Sequence, residues 1–255
     1  MTKLVAREGQ PLAETLANRL RTLITQGTYT TGERLPTEQA LVDEYNVSRD
    51  TVRRALRQLT NEGLLTATRG RGTYVRAYKP LTWQLSGYEQ QSNHTDGSDA
   101  WSTEVRRQGR KPSESIEISI EIATERIAEK LQLAAGQDLT VVRKRIRYVD
   151  NAPYQLADSY FPEEIAKGTS LMEPRSVSVA GGVLASIGRP QVRIVDEITI
   201  RMPTKSESVK LELSAGTPVA EVLRTGYDAE GKGLRAMVTV VPGDRHTLKY
   251  EMDAS

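Results

Sequence analysis

The 255-residue chain contains no cysteine, only two histidines and a single phenylalanine. Without cysteine, a disulfide framework and thiolate chemistry are excluded. His94 falls in a polar stretch where a lone histidine is simply solvated. His246 follows Asp244-Arg245, with no nucleophile, base and orienting group set around it, so catalysis is not expected. No His or carboxylate spacing points to a metal, and no cofactor is expected either. Long apolar runs are also missing. The longest weakly polar run, Val177 to Gly188, is far too short to span a bilayer. No N-terminal segment has the layout of a secretory signal. The expectation is a soluble, cytoplasmic protein with no membrane partner.

What is present is local positive charge. Residues 1–76 hold 12 Lys and Arg against 8 Asp and Glu, whereas the rest of the chain is slightly acidic. Seven arginines fall within residues 48–76, opposed only by Asp50 and Glu62. A short basic block on a nearly neutral protein points to a local polyanion contact.

Pattern decides what kind. Pro11 opens a helix with apolar residues at Leu12, Leu16, Leu20, Leu23 and Ile24, and Gly27 ends it. Thr37 is placed to cap a second helix with Glu38 in its first turn and Ala40, Leu41 and Tyr45 inward. Ser48 is placed to cap a third. That helix carries a buried stripe of Val52, Ala55, Leu56 and Leu59, with Asp50, Arg53, Arg54 and Arg57 opposite and Arg49 at the flank. Two short helices joined by a tight turn, the second carrying arginines, suit a major groove. Leu64–Thr68 and Thr73–Arg76 then flank Arg69-Gly70-Arg71-Gly72 as a two-stranded wing with a glycine turn. A phosphate-cradling loop is the competing reading, but no helix start follows it.

These positions together resemble the GntR family of bacterial regulators. The resemblance covers nearly all of residues 1–76, from Pro11-Leu12 through Leu35-Pro36-Thr37-Glu38 and Val47-Ser48-Arg49-Asp50-Thr51-Val52-Arg53 to Gly72-Thr73-Tyr74-Val75. It implies double-stranded operator DNA as the partner, with contacts from Gln39, Arg49, Arg53 and the wing pair Arg69–Gly70, while the wing turn itself offers Arg71 beside Arg69 for the minor groove. Arg34, Thr37, Ser48, Asp50 and Thr51 complete the candidate DNA-contacting set. Gln39 stands where family members often have arginine.

Residues 77–100 read as a partly extended linker. The remainder, 101–255, contains an internal repeat. Shifted by 80 positions, residues 117–162 match 197–242 without a gap, with identity at 11 of 46 positions. Each copy reads as strand, short helix, glycine turn and hairpin. The hairpins are Leu139–Val149 with Tyr154–Phe161, and Val219–Asp228 with Leu234–Val241. Two copies predict an α+β domain: an antiparallel sheet with helices on one face and a ligand cleft between the copies.

This order resembles the effector-binding (UTRA) domain of the HutC subfamily, whose fold is that of chorismate lyase. The motifs are Arg145-Ile146-Arg147, Pro153, Tyr160-Phe161-Pro162 and Gly243-Asp244-Arg245. The resemblance implies a small, anionic effector held by Arg145 and Arg147, with Asp158, Tyr160 and Arg235 as further candidates. An outward, solvated strand face is the alternative, and Arg143 on the same face supports it. Ala157 and Arg235 stand where the subfamily usually carries glutamate. The expected function is a repressor, dimeric through its second domain, bound to a palindromic operator and released by an effector. A nucleoid-style binder would not need the duplicated domain. The ligand-site departures also resemble repressors of conjugative plasmid transfer, which would act without a metabolite.

Overall fold

The computed structural model describes residues 11–68, 72–76, 80–86, 99–176 and 182–252. The chain divides into two compact units, Met1–Lys79 with Leu213–Thr217, and Pro80–Glu212 with Pro218–Ser255. Among the described residues no helix is long and apolar enough to cross a membrane.

Among the described residues the first unit is three helices and a hairpin. Helix α1 (Leu12–Thr25) starts after Pro11, whose fixed φ of −58° suits a helix entry, and stops before Gly27 at φ +78°. Thr37 caps α2 (Glu38–Tyr45), its hydroxyl accepting the Ala40 N–H at 3.2 Å. Asn46 turns the chain in the left-handed region at φ 52°. Ser48 then caps α3 (Arg49–Asn61), accepting the Thr51 N–H at 3.1 Å. Strands β1 (Leu65–Thr68) and β2 (Gly72–Val75) form the antiparallel wing.

The expected stripe of Val52, Ala55, Leu56 and Leu59 is buried against Leu16, Leu20, Leu41, Tyr45, Leu65 and Val75. Two inward expectations fail: Leu12 is 45 % exposed and Ala40 is exposed. Leu12 is the first residue of α1, a turn short of the core, and Ala17 takes a buried position beside Leu16 instead.

The second unit begins earlier than expected. Within the presumed linker, β3 (Leu81–Gln84) pairs in parallel with β10 (His246–Lys249), and Leu81 and Trp83 are buried. His94 lies outside the described residues. Helix α4 (Ala100–Arg107) follows, and then β4 (Pro112–Ile122), α5 (Glu125–Leu131), β5 (Leu139–Val149) and β6 (Ala152–Pro162). A covering segment holds α6 (Glu163–Ala166), a 3-10 turn (Ser170–Met172) and α7 (Gly182–Ala185). Next come β7 (Arg193–Arg201), α8 (Lys205–Lys210), β8 (Val219–Tyr227) and β9 (Gly233–Pro242).

The six long strands form one antiparallel sheet in the order β4-β5-β6-β9-β8-β7. That order is the duplication made visible: three strands and their repeat, joined through β6 and β9. The join is self-centred, because Asp158 pairs with Val238, its counterpart at the 80-residue shift, with Leu156–Val240 and Tyr160–Ala236 disposed symmetrically about it. The buried Leu131 and Leu211, each followed by a left-handed residue (Gln132 at φ 57°, Glu212 at φ 50°), repeat the end of the copy's helix.

Three expectations are corrected. The repeat is not gap-free: Glu117 pairs with Lys144 but Glu197 pairs with Leu223, one residue earlier than a uniform shift requires. The β-bulges agree, falling at Arg147/Tyr148 in one hairpin and Gly226/Tyr227 in the other. Arg145 therefore corresponds to Arg224. Among the described residues no cleft separates the copies, which join edge to edge through β6 and β9. Finally, helical cover lies on both faces. Ile127 and Leu131 of α5 pack on Tyr160, Leu223 and Val238. On the opposite face, Ala166, Leu171 and Leu184 of the covering segment pack on Val141 and Phe161.

Candidate nucleic-acid interface and buried arginine site

The exposed side of α3 bears Asp50, Arg53, Arg54 and Arg57, as its apolar stripe dictates. Arg53 is 56 % and Arg49 59 % exposed, enough to reach a partner. Their carboxylate neighbour was not foreseen. Glu38, the first residue of α2, lies 3.0 Å from Arg53 Nε and 3.5 Å from Arg49 Nε. In the sequence Glu38 marks only a favourable charge at a helix start, because its reach to α3 depends on how the two helices cross.

The other candidates are similarly engaged. Arg54 pairs with Asp50 at 2.8 Å along α3. Gln39 donates to Asp43 at 2.9 Å, and the Ser48 and Thr51 hydroxyls share a 2.8 Å hydrogen bond. Thr37 is committed to its cap. Arg34 belongs to the wing: its backbone bridges Tyr74, and its guanidinium lies over Gly72. A Cβ on Gly72 would come within 2.8 Å of Arg34 Nε, at a φ of +113° that only glycine adopts readily. Arg69, Gly70 and Arg71 lie outside the described residues.

In the second unit, strand alternation sorts the effector candidates onto two faces. Arg143, Arg145 and Arg147 of β5 share one face with Glu114 of β4, Gln155 and Ser159 of β6 and Arg235 of β9, by cross-strand register. Asp158 and Tyr160 point to the other, where Tyr160 packs under α5. Burial pushes the Asp158 carboxyl up, and pushes the Tyr160 hydroxyl up to about 12. They do not join the arginine group.

The arginines are not solvated. Arg143 is fully buried and donates to the carbonyls of Leu171, Glu173 and Arg175, each at 2.7 Å, so it ties the covering segment to the sheet. Arg147 lies 3.5 Å from Glu114, 3.8 Å from Asp99 and 5.0 Å above the Trp101 ring. The Arg145 guanidinium is only 11 % exposed, 3.3 Å from Ser159 Oγ and 3.9 Å from Glu114. Burial, then Arg147 and Arg143, pull its pKa down to about 9, with Arg235 acting in the same direction. Glu114, shared by Arg145 and Arg147, and Asp99 beside Arg147 leave Arg145 with no carboxylate of its own among the described residues.

The repeat shows what a satisfied version looks like. Arg224, the counterpart of Arg145, is 1 % exposed. It holds Asp196 with two 2.7 Å hydrogen bonds and donates to the Leu85 carbonyl at 2.9 Å. The residue corresponding to Asp196 in the first copy is Ile116, paired with Arg145. One arginine has its own carboxylate, and the other faces an isoleucine.

Of the loose motifs, Arg245 and Pro153 meet: Arg245 is buried and donates to the Pro153, Leu211 and Glu212 carbonyls. His246 is half-buried beside Tyr154, with ring centroids 5.6 Å apart. Burial holds its pKa down to about 3, so it is neutral.

A winged helix-turn-helix with an arginine-bearing recognition helix, in a chain that also carries a duplicated sheet domain, defines a transcriptional regulator. The chain belongs to the UTRA family, whose domain model matches residues 107–247, joined to a DNA-binding domain matched at residues 12–75 by the model for bacterial regulatory proteins of the gntR family. The repressor NagR of Bacillus subtilis is 28 % identical over 244 residues, covering 95 % of each chain. The mannosyl-D-glycerate transport/metabolism system repressor MngR of Escherichia coli is 29 % identical over 229 residues, covering 88 % of each chain. PhnF from Mycobacterium smegmatis shares the fold at a TM-score of 0.58 and 24 % identity, over 96 % of this chain and all of that one. The chain is a DNA-binding regulator and not an enzyme.

Proposed function

We propose that the protein is a repressor that binds a palindromic operator as a homodimer in the cytoplasm and is released by a small anion held by Arg145, Arg147 and Arg235. The observation that carries the effector reading is the contrast between Arg145 and Arg224. Buried cations are costly unless paired, and among the described residues a dedicated carboxylate stands against Arg224 and none against Arg145. An anionic ligand group completes the first copy as Asp196 completes the second. MngR is named for the system of a carboxylate-bearing sugar, which fits a ligand of this charge. The contacts of α3 and the wing supply operator binding, with Arg53 and Arg49 reading bases and Ser48 and Thr51 contacting phosphates.

A second copy has a place to dock. In the first repeat, Ile118 packs under the covering segment. Its counterpart on β7, Ile198, is 45 % exposed, in line with Ile194 and with Ile200 at 67 %. No described element covers this stripe, and dimeric regulators of this kind read inverted repeats.

The test is thermal unfolding of purified protein with inorganic phosphate, a sugar phosphate and mannosyl-D-glycerate, alongside release of the duplex that the protein enriches from a randomised DNA pool. A ligand at a hundred times its Kd stabilises by about 2.7 kcal/mol, and the effect should vanish in Arg145→Ala. If no anion shifts stability or DNA binding, the effector reading fails and regulation without a metabolite takes its place.

A further inference from the structure

The two base-reading arginines of α3 are held before any DNA arrives, and by a residue outside α3. Glu38 takes both through their Nε atoms, at 3.0 Å for Arg53 and 3.5 Å for Arg49. The attachment point matters. A guanidinium bonded through Nε keeps its two Nη nitrogens directed outward, and that Nη pair is the fork that matches guanine O6 and N7. Among the described residues the Nη atoms of Arg53 have no hydrogen-bond partner. The Arg54–Asp50 pair is different in kind, because it lies along one helix and orients nothing across the helix-turn-helix.

We propose that Glu38 is a specificity-determining positioning residue, which aims the Arg49 and Arg53 forks at base edges and discourages binding through phosphates alone. The inference rests on α3 being the DNA-reading helix. Two physical effects act together. Holding Nε removes side-chain freedom that each arginine would otherwise lose on reading a base. The carboxylate also stands at the DNA-facing start of α2, where it repels phosphate and leaves the two arginines less able to displace counterions. A cognate base offers the Nη fork something a phosphate cannot offer without drawing the arginine away from Glu38. The carboxylate therefore lowers affinity for all DNA but lowers it least for the right sequence.

The experiment uses the full chain. Wild type selects a duplex from a randomised pool, and that duplex and a scrambled version are then titrated with wild type, Glu38→Gln, Glu38→Asp and Arg53→Ala across a salt series. Glu38→Gln is expected to lose discrimination between the two duplexes by about tenfold, part of the value of a bidentate base contact. It should bind the scrambled duplex as tightly as wild type or more so, with a salt slope steeper by about one to two phosphate contacts. Glu38→Asp should recover part of the discrimination, and thermal unfolding should be unchanged. Glu38→Gln combined with Arg53→Ala should discriminate no worse than Arg53→Ala alone, because Glu38 acts through that arginine. Discrimination within about twofold of wild type in Glu38→Gln would overturn the proposal, as would equal weakening on both duplexes, the mark of a merely structural role. A pool from which wild type enriches nothing would instead refute DNA reading by α3, and this inference with it.

Discussion

Replacing Asp196 with alanine strips a buried guanidinium of the carboxylate it holds with two hydrogen bonds and measures how far this sheet depends on internal neutralisation. Arg224 is 1 % exposed and Asp196 20 %. Removing one partner of a buried ion pair costs about 3–5 kcal/mol, because the remaining charge is left uncompensated. Two features argue for the lower end, about 3 kcal/mol by the same rule: Asp196 is partly wet, and Arg224 keeps the Leu85 carbonyl at 2.9 Å. The assay is urea unfolding followed by tryptophan fluorescence. Both tryptophans of the chain, Trp83 and Trp101, belong to the second unit, so the signal reports that unit alone. With a slope of about 2 kcal/mol/M, the midpoint should fall by roughly 1.5 M without a change in slope. Glu114→Ala is the matched comparison. Its contacts are longer, at 3.5 and 3.9 Å, and it should cost less than Asp196→Ala, which loses two 2.7 Å charge-assisted bonds. Inorganic phosphate should restore part of the stability of Asp196→Ala by entering the vacated fork. A loss below about 1 kcal/mol in Asp196→Ala would refute the premise that an unpaired arginine on this face is costly, and with it the reason for assigning Arg145 an external anion.

Acid should destabilise the second unit in a window set by His246. The unfolded chain binds a proton there near pH 6.5 and the folded chain only near 3, so the contribution is complete above pH 6.5 and is lost as pH falls toward 3. The slope should be about 1.4 kcal/mol per pH unit. His246→Gln should flatten the stability profile between pH 6.5 and 5, above the range where Glu207, held down to about 2 by Arg201, begins to matter. An unchanged profile would show that the imidazole takes up a proton without unfolding. Arg53→Ala should cost about 1–3 kcal/mol at a single base pair, and uniform loss over all sequences in a selection assay would assign it to phosphate. Replacing Ile198 and Ile200 together with lysine should turn a dimer into a monomer by light scattering, with folding intact because both are exposed. A dimer that survives the double change must use another surface.

The first unit was legible because its signals are local. Caps at Thr37 and Ser48, the stripe through Leu59 and the glycine at 27 each constrain one helix without reference to the rest of the chain. The ion pairs of Glu38 were missed because they join residues 11 and 15 positions apart whose proximity depends on how two helices cross. In the second unit, the strands and hairpins were legible from alternation, but which residues share a face was not. The identities of the repeat cluster before Gly136 and Gly216, so a gap-free match hides the missing residue that follows. One residue along a strand moves a side chain to the opposite face, and that hidden offset separated Arg145 from its true counterpart. Strand β3 escaped notice because a four-residue parallel partner of β10 leaves no long periodic pattern.

The corrected register gives the duplication a meaning that sequence identity alone could not. Duplicated units start with equal sites, and here the two have been finished differently. In the second copy Asp196 closes on Arg224 with two hydrogen bonds. In the first copy Ile116 replaces that carboxylate, and Glu114, displaced along the strand, is divided between Arg145 and Arg147. The same copy has the covering segment, held down by the three carbonyl bonds of Arg143. An anion at Arg145 would therefore act next to the contacts that fix the segment to the sheet. A ligand can shift a conformational equilibrium only by binding one state better than another. The copy that combines an under-neutralised arginine with a covering segment tied to its neighbour is the one in which binding can have that differential effect, whereas the Arg224 site is already closed by Asp196 and the Leu85 carbonyl.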